Sequence, residues 1–214
     1  MDVNAGTAAG RRTLGLLGLC ALCCFAAHAS THVRRGTAHD VLWACTMSNA
    51  VVGLGLLWEA ARGPHRSDGD GAAVGAVAAA VAILWLCVGN VTWALDLALG
   101  GEFFPTSLLT HWGGLLCAAI AVRRLGWPRH AWMYATGGFV ALQLVSRQLT
   151  PPSANVNVAH AIYPVWAGVY SSYATFWLSS FVQTAGAYYV LDRLARWGVR
   201  RTLTVSTNSE MQNT

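Results

Sequence analysis

Lysine is missing altogether: all fourteen basic residues of the 214-residue chain are arginine. Charge of either sign is scarce, at 11% of residues against about 25% in soluble domains. So few charges cannot coat a water-facing globule of this size, which excludes a soluble enzyme. A hydrophobic content of 55% excludes a disordered chain as well. Cysteine is too sparse for a disulfide framework. Of the six, Cys20, Cys23, Cys24, Cys87 and Cys117 lie inside apolar runs, where a thiol acts as a small hydrophobe. A net charge of +5 and a pI near 9.1 would suit a nucleic-acid binder. The arginines, however, cluster between apolar stretches, as topology determinants do, and no nucleic-acid partner is expected. What remains is an integral membrane protein.

Crossing a bilayer takes roughly 20 apolar residues. Six stretches approach this: 13–30, 40–61, 72–99, 105–122, 132–148 and 171–194. The expected fold is all-α, a single transmembrane domain over residues 1–201 with six helices. Residues 202–214, rich in Thr, Ser and Asn, read as a disordered tail. Eleven of the fourteen arginines fall on one side of this layout, with Arg34, Arg35 and Arg147 on the other. The positive-inside bias then places both termini in the cytoplasm of a multi-pass protein of the cytoplasmic or plasma membrane. Arg11-Arg12, an apolar run and Ala27-His28-Ala29 also fit a cleavable signal peptide. Cleavage would leave five helices and the same orientation.

Polar residues at membrane depth are the informative ones, since each costs free energy to bury and needs a partner. By helical rise, Cys45 lies about 9 Å below His39, His111 about 9 Å below Pro105, and Asn90 and Asp96 about 14 and 5 Å below Leu99. Cys45, Ser48 and Asn49 share one helix face, as do Ser107, Thr110, His111 and Gly114, and as do Asn90 and Trp93. The stripes converge on the outer half of the bilayer and suggest a cleft open to the outer leaflet. Asp96 could instead pair with Arg147. The segment 149–170 mixes Val156, Val158, Ile162, Tyr163 and Trp166 with Asn155, Asn157 and His160. It is too polar to span and too apolar to trail in solvent, so it is expected to fold over the cleft as a lid.

Leu42-Trp43-Ala44-Cys45 early in the second span, Thr110-His111 early in the fourth, and Asn157 followed by Pro164 ahead of the aromatic Tyr173, Phe176 and Trp177 together form a pattern. It resembles the YwaF-type integral membrane family, related to a vertebrate ether-phospholipid acyltransferase and to androgen-induced hydrolases of fatty-acid esters. The resemblance implies a nucleophile on the second span and a histidine on the fourth. The acyltransferase cysteine carries onto Cys45, and the hydrolase threonine onto Thr46. Bacterial members often place His before and an acid after the cysteine, whereas this chain has Ala44 and Thr46, which keeps Thr46 and Ser48 open as nucleophiles. Histidine is the usual base for such a nucleophile, and Asn49 or Asn90 could donate to the oxyanion. The substrate is then a membrane lipid ester, with no cofactor. The oligomeric state stays open.

Two other readings compete. In one, a metal-dependent lipid hydrolase draws ligands from His39, Asp40, Asp96, His111 and His160, although no tight ligand motif is present. In the other, the buried polar groups merely bind the helices of a scaffold or transporter together.

Overall fold

In a computed structural model, which describes residues 7–62 and 73–211, the chain is helical and has no strand among the described residues. Arg66, most of the polar segment after the second helix, and residues 212–214 lie outside the described residues. The helices are α1 (Ala8–Arg34), α2 (Ala44–Arg62), α3 (Val74–Ala98), α4 (Pro105–Leu125), α5 (Ala131–Leu149) and α6 (Tyr173–Met211). Each expected apolar stretch contains one of these helices. α6 continues through 202–211, the stretch read as the start of a tail. By length and composition, α1, α3 and α4 can each cross a membrane. α2 and α5 have 19 residues each and carry more polar groups, including Asn49 and Glu59 on α2 and Gln143 and Arg147 on α5.

α1 buries a seam of Gly10, Leu14, Gly18, Ala21, Cys24, His28 and His32 at helical spacing. Backbones touch where that seam meets α2: a Cβ on Gly18 would stand 2.9 Å from the Gly53 carbonyl oxygen, and one on Gly53 would stand 3.0 Å from that of Gly18. Small residues facing each other allow the close approach that gives membrane helices their packing energy. Ala27-His28-Ala29 lies within this helix, so cleavage there would strip the bundle of the seam. Leu14, Val52, Leu56, Ala79, Ala82, Cys117 and Ala118 form one core, and Leu84, Trp85, Ala135, Leu142 and Tyr188 lie in a second. Leu16, Leu54, Leu116, Leu178 and Val190 point outward, each more than half exposed. An apolar exterior around an apolar interior is what a lipid solvent permits.

One end of the bundle carries the α1–α2 and α3–α4 turns and the segment 150–172; it is called the loop end below. The second apolar stretch does not begin as a regular helix there. Ala38–Leu42 forms a 3₁₀ turn, Trp43 is extended with ψ of 138°, and α2 starts at Ala44. His39 and Asp40 are therefore in the turn, and helical rise from His39 does not set the depth of Cys45. At the opposite end, Gly126 at φ of 85° stops α4 ahead of the arginine-bearing turn. There the Trp127 indole donates to Asp192 at 2.7 Å, and Arg196 binds the other carboxylate oxygen at 2.7 Å. Glu59 accepts from the first-turn amide of Gly75 at 3.1 Å, satisfying one of the donors every helix start leaves open.

Candidate active site at the loop end

Asn157 organises this end. Its carboxamide oxygen accepts from the Ala44 backbone N–H at 3.0 Å, capping α2 from a distant segment. Its amide nitrogen donates to the Leu42 carbonyl at 2.7 Å and to Ser146 Oγ at 2.9 Å, and its own carbonyl accepts from Gln143 at 2.9 Å. Three residues nearby are left-handed: Asn155 at φ 45°, Asn157 at 53° and Val158 at 59°. For β-branched Val158 that conformation is strained, and it persists because the surrounding bonds over-determine it. Tyr173 donates to the Val158 carbonyl at 3.0 Å, and Arg147 donates to the Ala159 carbonyl at 2.7 Å. Arg147 is thus not the partner of Asp96, which lies exposed before the α3–α4 turn. His160 meets Thr150 at 3.2 Å, and Asn155 caps His160 and Ala161. Asn157 and His160 clasp the 150–172 segment, and Asn157 also lines the cavity beneath it.

Beneath that segment lies a cavity of about 400 Å³, inside the usual range of small-molecule sites of about 300–1,000 Å³. Tyr163, Trp166 and Tyr170 contribute its rim, Trp85 and Phe139 its depth, and Cys45 its wall. Trp166 is 48% exposed and Tyr163 37%, so each ring turns one side to the cavity and the other outward. Partial burial, with Asp96 and Asp40 nearby, raises the Tyr163 phenol above its ordinary pKa, which keeps its hydroxyl neutral.

Cys45 is the second residue of α2 and half-buried. Against it stands Gly89 of α3, where a Cβ would be 3.3 Å from the Cys45 Cβ. The next residue, Asn90, accepts from His111 Nδ1 at 2.6 Å. Consecutive residues of α3 therefore touch Cys45 and His111 respectively. The His111 ring is 3% exposed and stacks on Trp93, with centroids 4.6 Å apart and planes 14° from parallel. With Nδ1 committed as a donor, the lone pair sits on Nε2, the tautomer a general base needs. Five residues around His111, Leu109–Gly113, adopt a π turn, an insertion of the kind that recurs at functional sites.

Asn49 is placed at the same level but spends its amide hydrogens elsewhere. They go to the carbonyls of Cys45 at 3.3 Å and Thr110 at 3.1 Å, tying α2 to α4. It has no N–H left for an oxyanion, so the expectation for Asn49 is corrected to helix tie. Its oxygen and the Thr110 hydroxyl are buried without partners. Thr46 is 1% exposed and does not line the cavity; Ser48 donates to the Cys45 carbonyl at 2.6 Å. Of the three nucleophiles open to sequence, Cys45 alone faces the cavity. No hydrogen bond joins Cys45 to His111, and His111 is not in the cavity wall.

The ligand set expected for a metal does not assemble. His39 lies 3.8 Å from Asp40, which also accepts from the Trp43 indole at 3.2 Å and lies 3.7 Å from His32, while His111 faces Asn90 and His160 faces Thr150. No group of three His, Cys, Asp or Glu side chains among the described residues could hold an ion. Sequence reasoning passed over His28, which is 5% exposed and bonded to Thr106 of α4 at 3.0 Å. Its spacing of four from His32 was the available signal. Compared with protein-family models, curated proteins and solved structures, the chain matches none.

Proposed function

We propose that the chain crosses the membrane six times with both termini in the cytoplasm, and that it transfers the acyl group of a membrane lipid ester. The topology rests on six helices and on the arginine bias. Among described residues Arg62, Arg123, Arg124, Arg129, Arg193 and Arg196 lie at one end, and Arg34, Arg35 and Arg147 at the loop end. The loop end then faces the outer leaflet, where a lipid can enter sideways under the 150–172 segment as under a lid.

One observation carries the chemistry: α3 sets Gly89 against a cavity-lining cysteine and Asn90 against a buried, tautomer-defined histidine. In this reading His111 Nε2 takes the Cys45 proton, directly or through one water, and the thiolate attacks the ester carbonyl. The oxyanion finds the Cys45 and Thr46 amides in the first turn of α2, the Ala44 and Met47 amides being held by Asn157 and the Trp43 carbonyl, and the Asn90 amide nitrogen. Collapse expels the lysolipid alcohol, which leaves with the proton from His111, and the acyl group stays on Cys45 as a thioester. Water or a second alcohol, deprotonated by His111, then releases it. The pattern shared with the YwaF-type family supports the same assignment.

The test is acyl turnover by the purified chain in vesicles of ester phospholipid, followed by mass spectrometry of released and transferred acyl groups. Cys45→Ala and His111→Ala are expected to abolish turnover while Thr46→Ala retains it. Full turnover by a folded His111→Ala chain overturns the mechanism. Activity lost with Thr46→Ala but kept with Cys45→Ala would move the nucleophile to Thr46.

A further inference from the structure

Arg147 is exposed in the last turn of α5, beside a groove of about 190 Å³ that Gln143, Leu144, Ala159, Tyr173 and Trp177 also line. None of these residues lines the cavity at Cys45. The guanidinium is held in place. Its Nη1 donates to the Ala159 carbonyl at 2.7 Å, and its central carbon stands 5.5 Å from the centre of the Tyr173 ring. Those contacts orient the fork without neutralising its charge. Among the described residues no Asp or Glu pairs with Arg147, and none lines the groove. The other arginines of the loop end differ: Arg35 pairs with Glu102, and Arg34 folds back onto Ser30. A guanidinium carries five N–H groups in a planar fork that matches the oxygens of a phosphate. Arg147 therefore has donors to spare for an anion.

The groove also has an order of polarity. Arg147 and Tyr173 lie toward the loop end, while Leu144 on α5 and Trp177 on α6 stand about one helical turn, or about 5 Å, deeper. Leu144 is 59% exposed and Leu178, next to Trp177 in sequence, 57%, so the floor runs out onto the apolar exterior of the bundle. A cation above and an apolar floor below match the phosphate and the acyl chain of a phospholipid, and Tyr and Trp suit that boundary. The volume is smaller than the about 300 Å³ at which sites for whole small molecules begin. It takes part of a molecule whose remainder stays in the surrounding lipid. We propose that this groove binds a net-anionic phospholipid of the bilayer, its phosphate on the Arg147 guanidinium and one acyl chain along Leu144 and Trp177. Basic pockets between membrane helices hold lipid headgroups in this way. With no carboxylate to meet an ammonium, the groove favours a glycerol headgroup over choline. The proposal rests on the membrane-embedded reading and shares no residue with the Cys45–His111 mechanism, so the two can fail separately.

The full chain in maltoside micelles, titrated with dioleoyl phosphatidylglycerol and followed by native mass spectrometry, should retain that lipid in preference to phosphatidylcholine. Diacylglycerol, which lacks the phosphate, should not be retained. Arg147→Gln should weaken retention by at least about 10-fold, as expected for hydrogen bonds to a charged group, whereas Arg34→Gln and Cys45→Ala should leave it unchanged. Since Arg147→Gln also releases the Ala159 carbonyl, Leu144→Glu is the second variant. It leaves that bond in place, sets a carboxylate three residues before the guanidinium, and should expel phosphatidylglycerol as well. Equal retention of phosphatidylglycerol and phosphatidylcholine by the wild-type chain overturns the proposal. Retention undiminished in Leu144→Glu overturns it equally. Displacement of the lipid by inorganic phosphate would make free phosphate the occupant and overturn the lipid assignment.

Discussion

Asn90 and Asn49 are the same residue type at the same level of the bundle, yet their hydrogen bonds give them different work. Asn90 receives the His111 Nδ1–H and so selects its tautomer, while Asn49 spends both hydrogens on backbone carbonyls. Asn90→Ala should lower acyl turnover by about 10–100-fold, within the contribution of a positioned base, with KM unchanged; steady-state kinetics on vesicles reads the split. Asn49→Ala should instead loosen α2 from α4. Asn157 belongs with the structural group. Its side chain makes three hydrogen bonds at about 1 kcal/mol each net, so Asn157→Ala should cost about 2–3 kcal/mol. Denaturant or thermal unfolding in detergent measures that loss.

Among the elements, α4 and the α1–α2 pair carry the most information. A π turn holds one residue more than the α-helix around it needs, and here it fixes how His111 is presented to Asn90 and Trp93. Deleting Trp112, which is 57% exposed, should restore an ordinary helix, leave the flanking turns of α4 in phase and change how His111 is presented. Circular dichroism should be unchanged and turnover lost. On α1, Gly18→Leu would drive a side chain into the Gly53 backbone and should cost at least the 1–3 kcal/mol or so of overpacking. A lower unfolding temperature is the expected result.

At the scale of the whole molecule, the loop end is where the cavity, the buried histidines and the strained 155–158 stretch all meet. In a chain whose six native cysteines are replaced, a cysteine at Ser153 should react with an impermeant reagent added from outside, and one at Arg129 only after the membrane is opened. The reverse pattern would invert the topology. Much of this scale is legible in the sequence, because composition and run length report the solvent directly: a chain with 11% charged residues has too little polar surface for water. The helix count and approximate positions follow from the same runs. So does the choice of His111, since an ionisable group inside an apolar run needs a reason to be there. Sequence by itself gives Cys45 and His111 equal depths only by assuming a helix from His39, which the 3₁₀ turn breaks, and it does not say which of Cys45, Thr46 and Ser48 would face the cavity. That depends on where α2 starts, and its start at Ala44 is set by a cap from Asn157, 113 residues away. Likewise the partner of Arg147, the work of Asn49 and the facing nitrogens of His28 and His32 are decided by which helices pack together. Composition and periodicity report how each segment meets its solvent, whereas hydrogen-bond partners between segments exist only once the bundle has closed.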